Sequence, residues 1–228
     1  MKIGIIIAIE RELKSFIESG HEITEEHLGN KIIYHTDMCG HEIAAIMSGY
    51  GEIDAAAATQ LLITHTGCEV VINFGVAGAI IRELKVEDIF LVEKVCHYDY
   101  DVSTIDPVKK HQYVEYPDEF IPLDEGLRTL VLSKMPSVKT VAVASGDRFV
   151  DKAEDKEALA SLGCQICDME IAAIARICLQ NDVRCLSIKC ISDTFEGDGG
   201  DFNTNVTRSA KVAFDMLREV LEVLGKDN

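Results

Sequence analysis

The sequence predicts a layered α/β fold whose sheet is largely buried on both faces. Apolar runs of strand length recur along the 228 residues, segments of helical period lie between several of them, and 47% of the chain is hydrophobic, enough for a substantial core. No Pro/Gly/Ser-rich linker divides the chain. One domain over residues 1–228 is therefore expected.

In chain order, Lys2 to Ala8 forms the first buried strand. Charges at Glu10, Arg11 and Glu12 end its apolar run too soon for a membrane span, and no small-residue cleavage site follows. A helix comes next, with Glu10 and Glu12 in its first turn. Further strands are expected at Ile43 to Met47, Val70 to Phe74, Ile89 to Val95, Thr140 to Ala144 and Arg184 to Ile191, all apolar without strict alternation, the pattern of strands covered on both faces. Helical period marks Ile53 to Thr66, Leu123 to Met135, Ile171 to Gln180 and Val206 to Leu224. At Gln165 to Asp168 a short apolar run hands over to the third of these helices. The segment Tyr98 to Pro122 has no clean period, is rich in Asp, Tyr and Pro, and is long enough to suggest a functional loop.

Charge excludes some classes. With 39 acidic against 22 basic residues and a formal charge of −17, the chain lacks the Lys/Arg excess that polyphosphate or anionic membrane binding requires, so neither nucleic acid nor membrane is an expected partner. Of the eight cysteines, Cys164 and Cys167 have a two-residue gap but no second pair follows, and the others mostly sit in apolar segments. Reduced core thiols in a cytosolic protein are expected. No G-x-G-x-x-G occurs, and Gly75-Val-Ala-Gly78 lacks the Lys-Ser/Thr of a P-loop. His97-Tyr-Asp99-Tyr-Asp101 has no second ligand group, so no metal and no cofactor is expected.

In open α/β sheets ligands lie beyond the carboxyl ends of the strands. Here those ends are polar and specific: Glu10 and Glu12, Ser48-Gly-Tyr-Gly51, Gly75-Val-Ala-Gly78, Ser145-Gly-Asp-Arg-Phe149, Asp168-Met-Glu170 and Ser192-Asp193. Each has a plain structural alternative. Glu12 suits a helix N-terminus; Ser192-Asp193 suits an N-cap; Phe149 and Met169 suit a core; the glycine pairs suit tight strand-to-helix turns.

Together these segments carry a resemblance. KIGIIIAIERE, SGYGEIDAA, INFGVAGAI, YDYDVS, ASGDRFV, CDMEIAAIARIC and ISD resemble, in order and spacing, the 5′-methylthioadenosine/S-adenosylhomocysteine nucleosidases of the nucleoside phosphorylase superfamily. The resemblance implies a three-layer α/β/α sandwich around a curved, mixed sheet, and a homodimer whose partner loop completes the pocket. It implies that Glu12 activates the attacking water and that Asp193 protonates purine N7. Met169 and Glu170 then grip the ribose, Phe149 stacks on adenine, and the Val150 backbone reads the base edge. Val76, Ala77, Gly78 and Ser192 fall within the matching strand ends and are counted with the substrate-binding residues. Such roles suit the chemistry, because N-glycoside cleavage builds positive charge on the sugar and negative charge on the base.

Phosphorylases of the superfamily place an arginine before a Gly-Ser-Cys-Gly-type turn, whereas this chain has Asn73-Phe-Gly-Val-Ala-Gly78, so water is the expected nucleophile. Arg11 and Arg148 keep phosphorolysis open as an alternative, and a non-catalytic purine-nucleoside binder is another. Around the 5′ substituent the chain departs from the family: Tyr50 stands where small aliphatic residues are usual, Ile105 and Pro107 where aromatic ones are, and Val76 where serine is common. Tyr50, Ile105 and Phe202 are expected at that end of the pocket, which leaves methylthioadenosine, S-adenosylhomocysteine and 5′-deoxyadenosine as candidates.

Overall fold

A computed structural model describes residues 1–226. Its elements are β1 (Lys2–Ile7), α1 (Glu10–Ile17), β2 (Thr24–Leu28), β3 (Lys31–Met38), β4 (His41–Met47), α2 (Glu52–Thr66), β5 (Val70–Ala79) and β6 (Ile89–His97), followed by β7 (Ile121–Pro122), α3 (Glu125–Lys134), β8 (Lys139–Ser145), α4 (Ala153–Ala160), β9 (Ile166–Asp168), α5 (Ile171–Gln180), β10 (Arg184–Asp193) and α6 (Gly199–Lys226).

Strand β1 explains the layering. Ile3, Ile5 and Ile7 point to the face covered by α1, α3 and α6, where Phe16, Phe74 and Phe214 meet edge to face, while Ile6 points to the face covered by α2 and α5. Period-two alternation thus serves two cores, which is why the strand reads as continuously apolar. The expected three-layer arrangement is what forms.

The sheet is mixed and partly closed. β4, β1, β5 and β10 run parallel in that order, and β3 and β2 extend the β4 edge as an antiparallel meander. From β10 the path continues through β6, β8 and β9 and returns to β5, so five strands form a ring at one end of the sheet. Closure brings the ends of β5, β8, β9 and β10 together.

Three differences from the sequence-based expectation have clear causes. β5 does not stop at Phe74 but runs through Gly75-Val-Ala-Gly78 to Ala79, because Lys189 to Asp193 of β10 and Ile166 and Cys167 of β9 pair with that segment. Gly75 and Gly78 therefore lie inside a strand and not in a turn. The β2/β3 hairpin and α4 carry weak sequence signals: TEEHL is polar and largely solvent-facing, and AEDKEALA buries only Lys156 and Leu159. α6 starts at Gly199, seven residues ahead of Val206, since GGDFNTN carries no apolar period to mark it.

Candidate active site

One cavity, about 560 Å³ in extent and open to solvent on one side, lies over the converging strand ends. Glu12, Tyr50, Val76, Ala77, Gly78, Phe149, Val150, Met169, Glu170, Ser192, Asp193 and Phe202 all line it. Twelve of the thirteen residues singled out from sequence come together here. Ile105 does not: it sits in the loop between β6 and β7, 80% exposed, and is absent from the lining. That loop is anchored elsewhere, by a stack of Tyr100 on Tyr113 (3.9 Å between ring centroids), a hydrogen bond between His97 Nδ1 and the Tyr113 hydroxyl (2.7 Å), and the Arg176 guanidinium 4.0 Å from the Tyr113 ring.

Glu12 begins in the way any helix-start carboxylate does. Its Oε2 accepts from the main-chain N–H of Ala8 (3.1 Å) and Ile9 (3.2 Å), reaching back over the first turn of α1. The other oxygen departs from that pattern, since Oε1 accepts from Val76 N at 2.8 Å, across to β5. Burial raises the proton affinity of this side chain, opposed by the Lys189 charge and by the three N–H donors. Gly75 is needed beside it, because a Cβ there would collide with Oε1.

Asp193 ends β10 and is not an N-cap. A register shift in the pairing with β5 between Ile191 and Asp193 leaves Ser192 unpaired and turns the aspartate over Gly78. Its Oδ1 accepts from the Ser192 hydroxyl (2.8 Å), and a Cβ at Gly78 would stand 2.8 Å from Oδ2. Burial leads in raising its proton affinity, with Ser192 and Lys156 working the other way. The two carboxylates thus differ in support for their charged forms: Glu12 has three N–H donors and Asp193 one hydroxyl.

Glu170 is held between turns. Gly51 N–H, at the start of α2, donates to its Oε1 (3.1 Å), and Met169 N–H donates to Oε2 (3.3 Å). Gly49 and Gly51 have φ of 100° and 91°, so Ser48-Gly-Tyr-Gly51 is a turn that only glycine enters cheaply, as its sequence suggests. Burial and then the Asp168 charge push Glu170 up to about 7. Asp168 braces the site: Oδ2 accepts from Ile171 N (3.2 Å) and pairs with Lys189 Nζ (2.7 Å), and Oδ1 is buried without a hydrogen-bond partner, an acceptor that a bound hydroxyl or water can meet.

Sequence reasoning missed Lys189 and Glu52. Lys189 is buried in β10, four residues before Asp193; burial opposes its charge, but Asp168, Glu170 and Glu12 outweigh burial and hold it above the ordinary lysine range. A lysine in an otherwise apolar run was the one available signal. Glu52 accepts from Ser145 Oγ (2.6 Å) and Ala173 N (2.6 Å), and burial with the nearby Asp168 pushes it up to about 8. Of the two arginines weighed as phosphate partners, Arg148 lines the cavity with its guanidinium on Asp155 (3.3 Å), and Arg11 donates to Asn203 (3.0 Å) outside the lining.

All eight cysteines carry free thiols, seven of them buried. Among the described residues no group of three or more His, Cys, Asp or Glu is placed to hold a metal ion, and no helix is long and apolar enough to cross a membrane.

The model of the phosphorylase superfamily matches residues 2–222. A 5′-methylthioadenosine/S-adenosylhomocysteine nucleosidase of Shewanella sediminis is 31% identical over 98% of this chain and all of that protein. An aminodeoxyfutalosine nucleosidase of Campylobacter jejuni is 28% identical over the same shares. Among solved structures, an aspartate-to-asparagine variant of the Helicobacter pylori nucleosidase with 5′-methylthioadenosine in the active site superimposes with a TM-score of 0.89, at 27% identity, covering 97% of this chain and 98% of that one.

Proposed function

The chain belongs to the phosphorylase superfamily, among its 5′-methylthioadenosine/S-adenosylhomocysteine nucleosidases, and from that premise we propose how its site works and on what. It is an N-glycosidase that hydrolyses the bond between adenine and the ribose of adenosines. We infer that substrates modified at C5′ are preferred, methylthioadenosine and S-adenosylhomocysteine first and 5′-deoxyadenosine after them.

The observation that carries the assignment of roles is the unequal support given to two buried carboxylates in one cavity. Glu12, with three main-chain donors and the Lys189 charge nearby, is the one suited to ionise, and Asp193, with a single hydroxyl donor, is the one suited to hold a proton. Asp193 gives its proton to adenine N7 as the C1′–N9 bond breaks. Water adds to C1′ and loses its proton to Glu12. Adenine then leaves neutral, and exchange with solvent returns both carboxyls to their starting states. Glu170 accepts from the sugar hydroxyls, and its negative charge together with the Met169 sulfur suits the cationic sugar. Phe149 stacks on the base, the Val150 backbone meets its edge, and Ala77, Gly78 and Ser192 border it. Ala8, Ile9 and Val206, with Val76 and Phe202 packed on them, form the apolar wall assigned to the 5′ substituent, and Tyr50 stands at its rim.

The whole chain, 1–228, acts as one unit, with residues 227 and 228 outside those described. We further propose a homodimer in the cytoplasm. Support comes from Tyr50, Ile53, Ile105 and Val114, large apolar side chains left more than half exposed, and from free thiols throughout. In that dimer the partner's loop between β6 and β7 closes the open side of the cavity.

The test is release of adenine from methylthioadenosine, S-adenosylhomocysteine, 5′-deoxyadenosine, adenosine and inosine, with and without phosphate. Adenine from the 5′-modified substrates in phosphate-free buffer is the expected result. A strict phosphate requirement would make the enzyme a phosphorylase, and no product from any substrate would make the protein a binder.

A further inference from the structure

Lys156 is 0% exposed, one of the largest fully buried side chains in the protein. It projects from α4, the helix that follows Phe149 and Val150. Its Nζ donates to the carbonyl oxygens of Thr194 (3.0 Å), Phe195 (3.0 Å) and Gly197 (2.9 Å). These carbonyls belong to the four residues immediately after Asp193. All three ammonium protons are used, and all three end on main-chain carbonyls instead of a carboxylate. The segment is a tight turn, with Gly197 N–H also donating to Thr194 O (2.9 Å).

A buried ammonium without a carboxylate counter-ion is costly, so a turn that needed only closing would be better served by water or a neutral donor. What the cation does here is join two parts of the site. On one side is the turn that extends from the acid; on the other is the helix whose preceding residues hold the base. We propose that Lys156 is a positioning residue for proton delivery: it ties the segment after Asp193 to α4 and so fixes the acid relative to the base held by Phe149 and Val150. This rests on Asp193 being the acid, as proposed above.

The Lys156 ammonium also acts on Asp193, lowering the proton affinity that burial raises. The groups around that carboxyl are Ser192 beside it on β10, Lys156 from α4, Asp201 from α6 and Cys167 of β9, whose thiol is pushed up to about 12 and stays neutral; β5 contributes only Gly78. Lys156 is the one cation in that set. It opposes burial and Asp201, keeping the acid able to part with its proton, as a general acid must.

The experiment measures adenine release from methylthioadenosine as a function of pH in wild type, Lys156→Met and Lys156→Gln, with Asp193→Asn alongside. Lys156→Met should lower kcat about 10- to 100-fold, the order expected for a misplaced reacting group, with KM changed by less than about threefold. Its alkaline limb in kcat/KM should move up by about one pH unit on losing the cation. The Gln amide keeps donors without the charge, so Lys156→Gln should recover part of kcat and retain the shifted limb. Should Lys156→Met fail to fold, both readouts are taken on Lys156→Gln, where an unmoved limb and wild-type kcat overturn the proposal, as they would in Lys156→Met. A loss confined to the amount of folded protein, with kcat and limb unchanged, also overturns it. Near-wild-type turnover by Asp193→Asn would instead remove the acid assignment itself.

Discussion

Carboxylates in this protein differ by what surrounds them more than by what they are. Glu12, Glu52, Asp168, Glu170 and Asp193 are all buried, yet three N–H donors meet the first, a serine hydroxyl and one N–H the second, a lysine the third. Glu12→Gln and Asp193→Asn should each lower adenine release at least about a hundredfold, the lower bound for losing an acid–base group, while far-ultraviolet circular dichroism stays unchanged; near-normal turnover by either would withdraw its role. Glu52 makes a separate prediction about stability. Its folded proton affinity, about 8, lies above its ordinary 4.5, so the protonated form is the one folding favours. Its contribution is therefore complete below pH 4.5 and is lost as pH rises towards 8. Glu52→Gln removes that loss, so melting temperatures of the variant relative to wild type should be higher at pH 8 than at pH 5. An offset that is the same at both values would show that Glu52 is ionised in the fold.

Among the elements, β5 matters most to the site. In the sequence the apolar run ends at Phe74, and a tight turn is the plain structural alternative for Gly75 and Gly78. Pairing with β10 and β9 on either side overrides that local preference. The glycines then serve close approach: Gly75 leaves room for Glu12 and Gly78 for Asp193. Gly75→Ala should cut kcat at least about tenfold by displacing Glu12, in line with the sensitivity of rate to small misplacements, with full-length folded protein recovered in normal yield. Wild-type kcat in that variant would mean that the Glu12 position is not critical. The α5 boundaries, by contrast, match the sequence reading at both ends, since Ile171 to Gln180 carries a strong 3.6-residue period and packs on α2 and the sheet.

At the scale of the molecule, ring closure through β5, β10, β6, β8 and β9 determines which strand ends share a cavity. The cavity still opens beside Tyr50, which is 62% exposed, and Ile53, Ile105 and Val114 are likewise left uncovered on the surface of the chain. Sedimentation at micromolar concentration should give twice the 25.1 kDa chain mass. Ile53→Asp with Ile105→Asp should shift the protein towards monomer and lower turnover together. A fully active monomer would remove the partner loop from the site.

By itself the sequence determined the layered α/β class and most strands and helices of strong apolar period, because burial on both faces writes itself as apolar runs; polar strand ends interrupt those runs abruptly and marked most of the cavity residues, while Val150 and Phe202 came from the family resemblance alone. Only the tertiary structure decided the rest. The strand state of Gly75 to Ala79 came from cross-strand pairing, the exposure of Ile105 outside its own chain's cavity from how its loop anchors, and the parts played by Lys189, Glu52 and Lys156 from contacts between residues far apart in the chain. A buried lysine looks like any other lysine until the fold shows which oxygens surround it, since its position along the chain fixes neither its burial nor its partners.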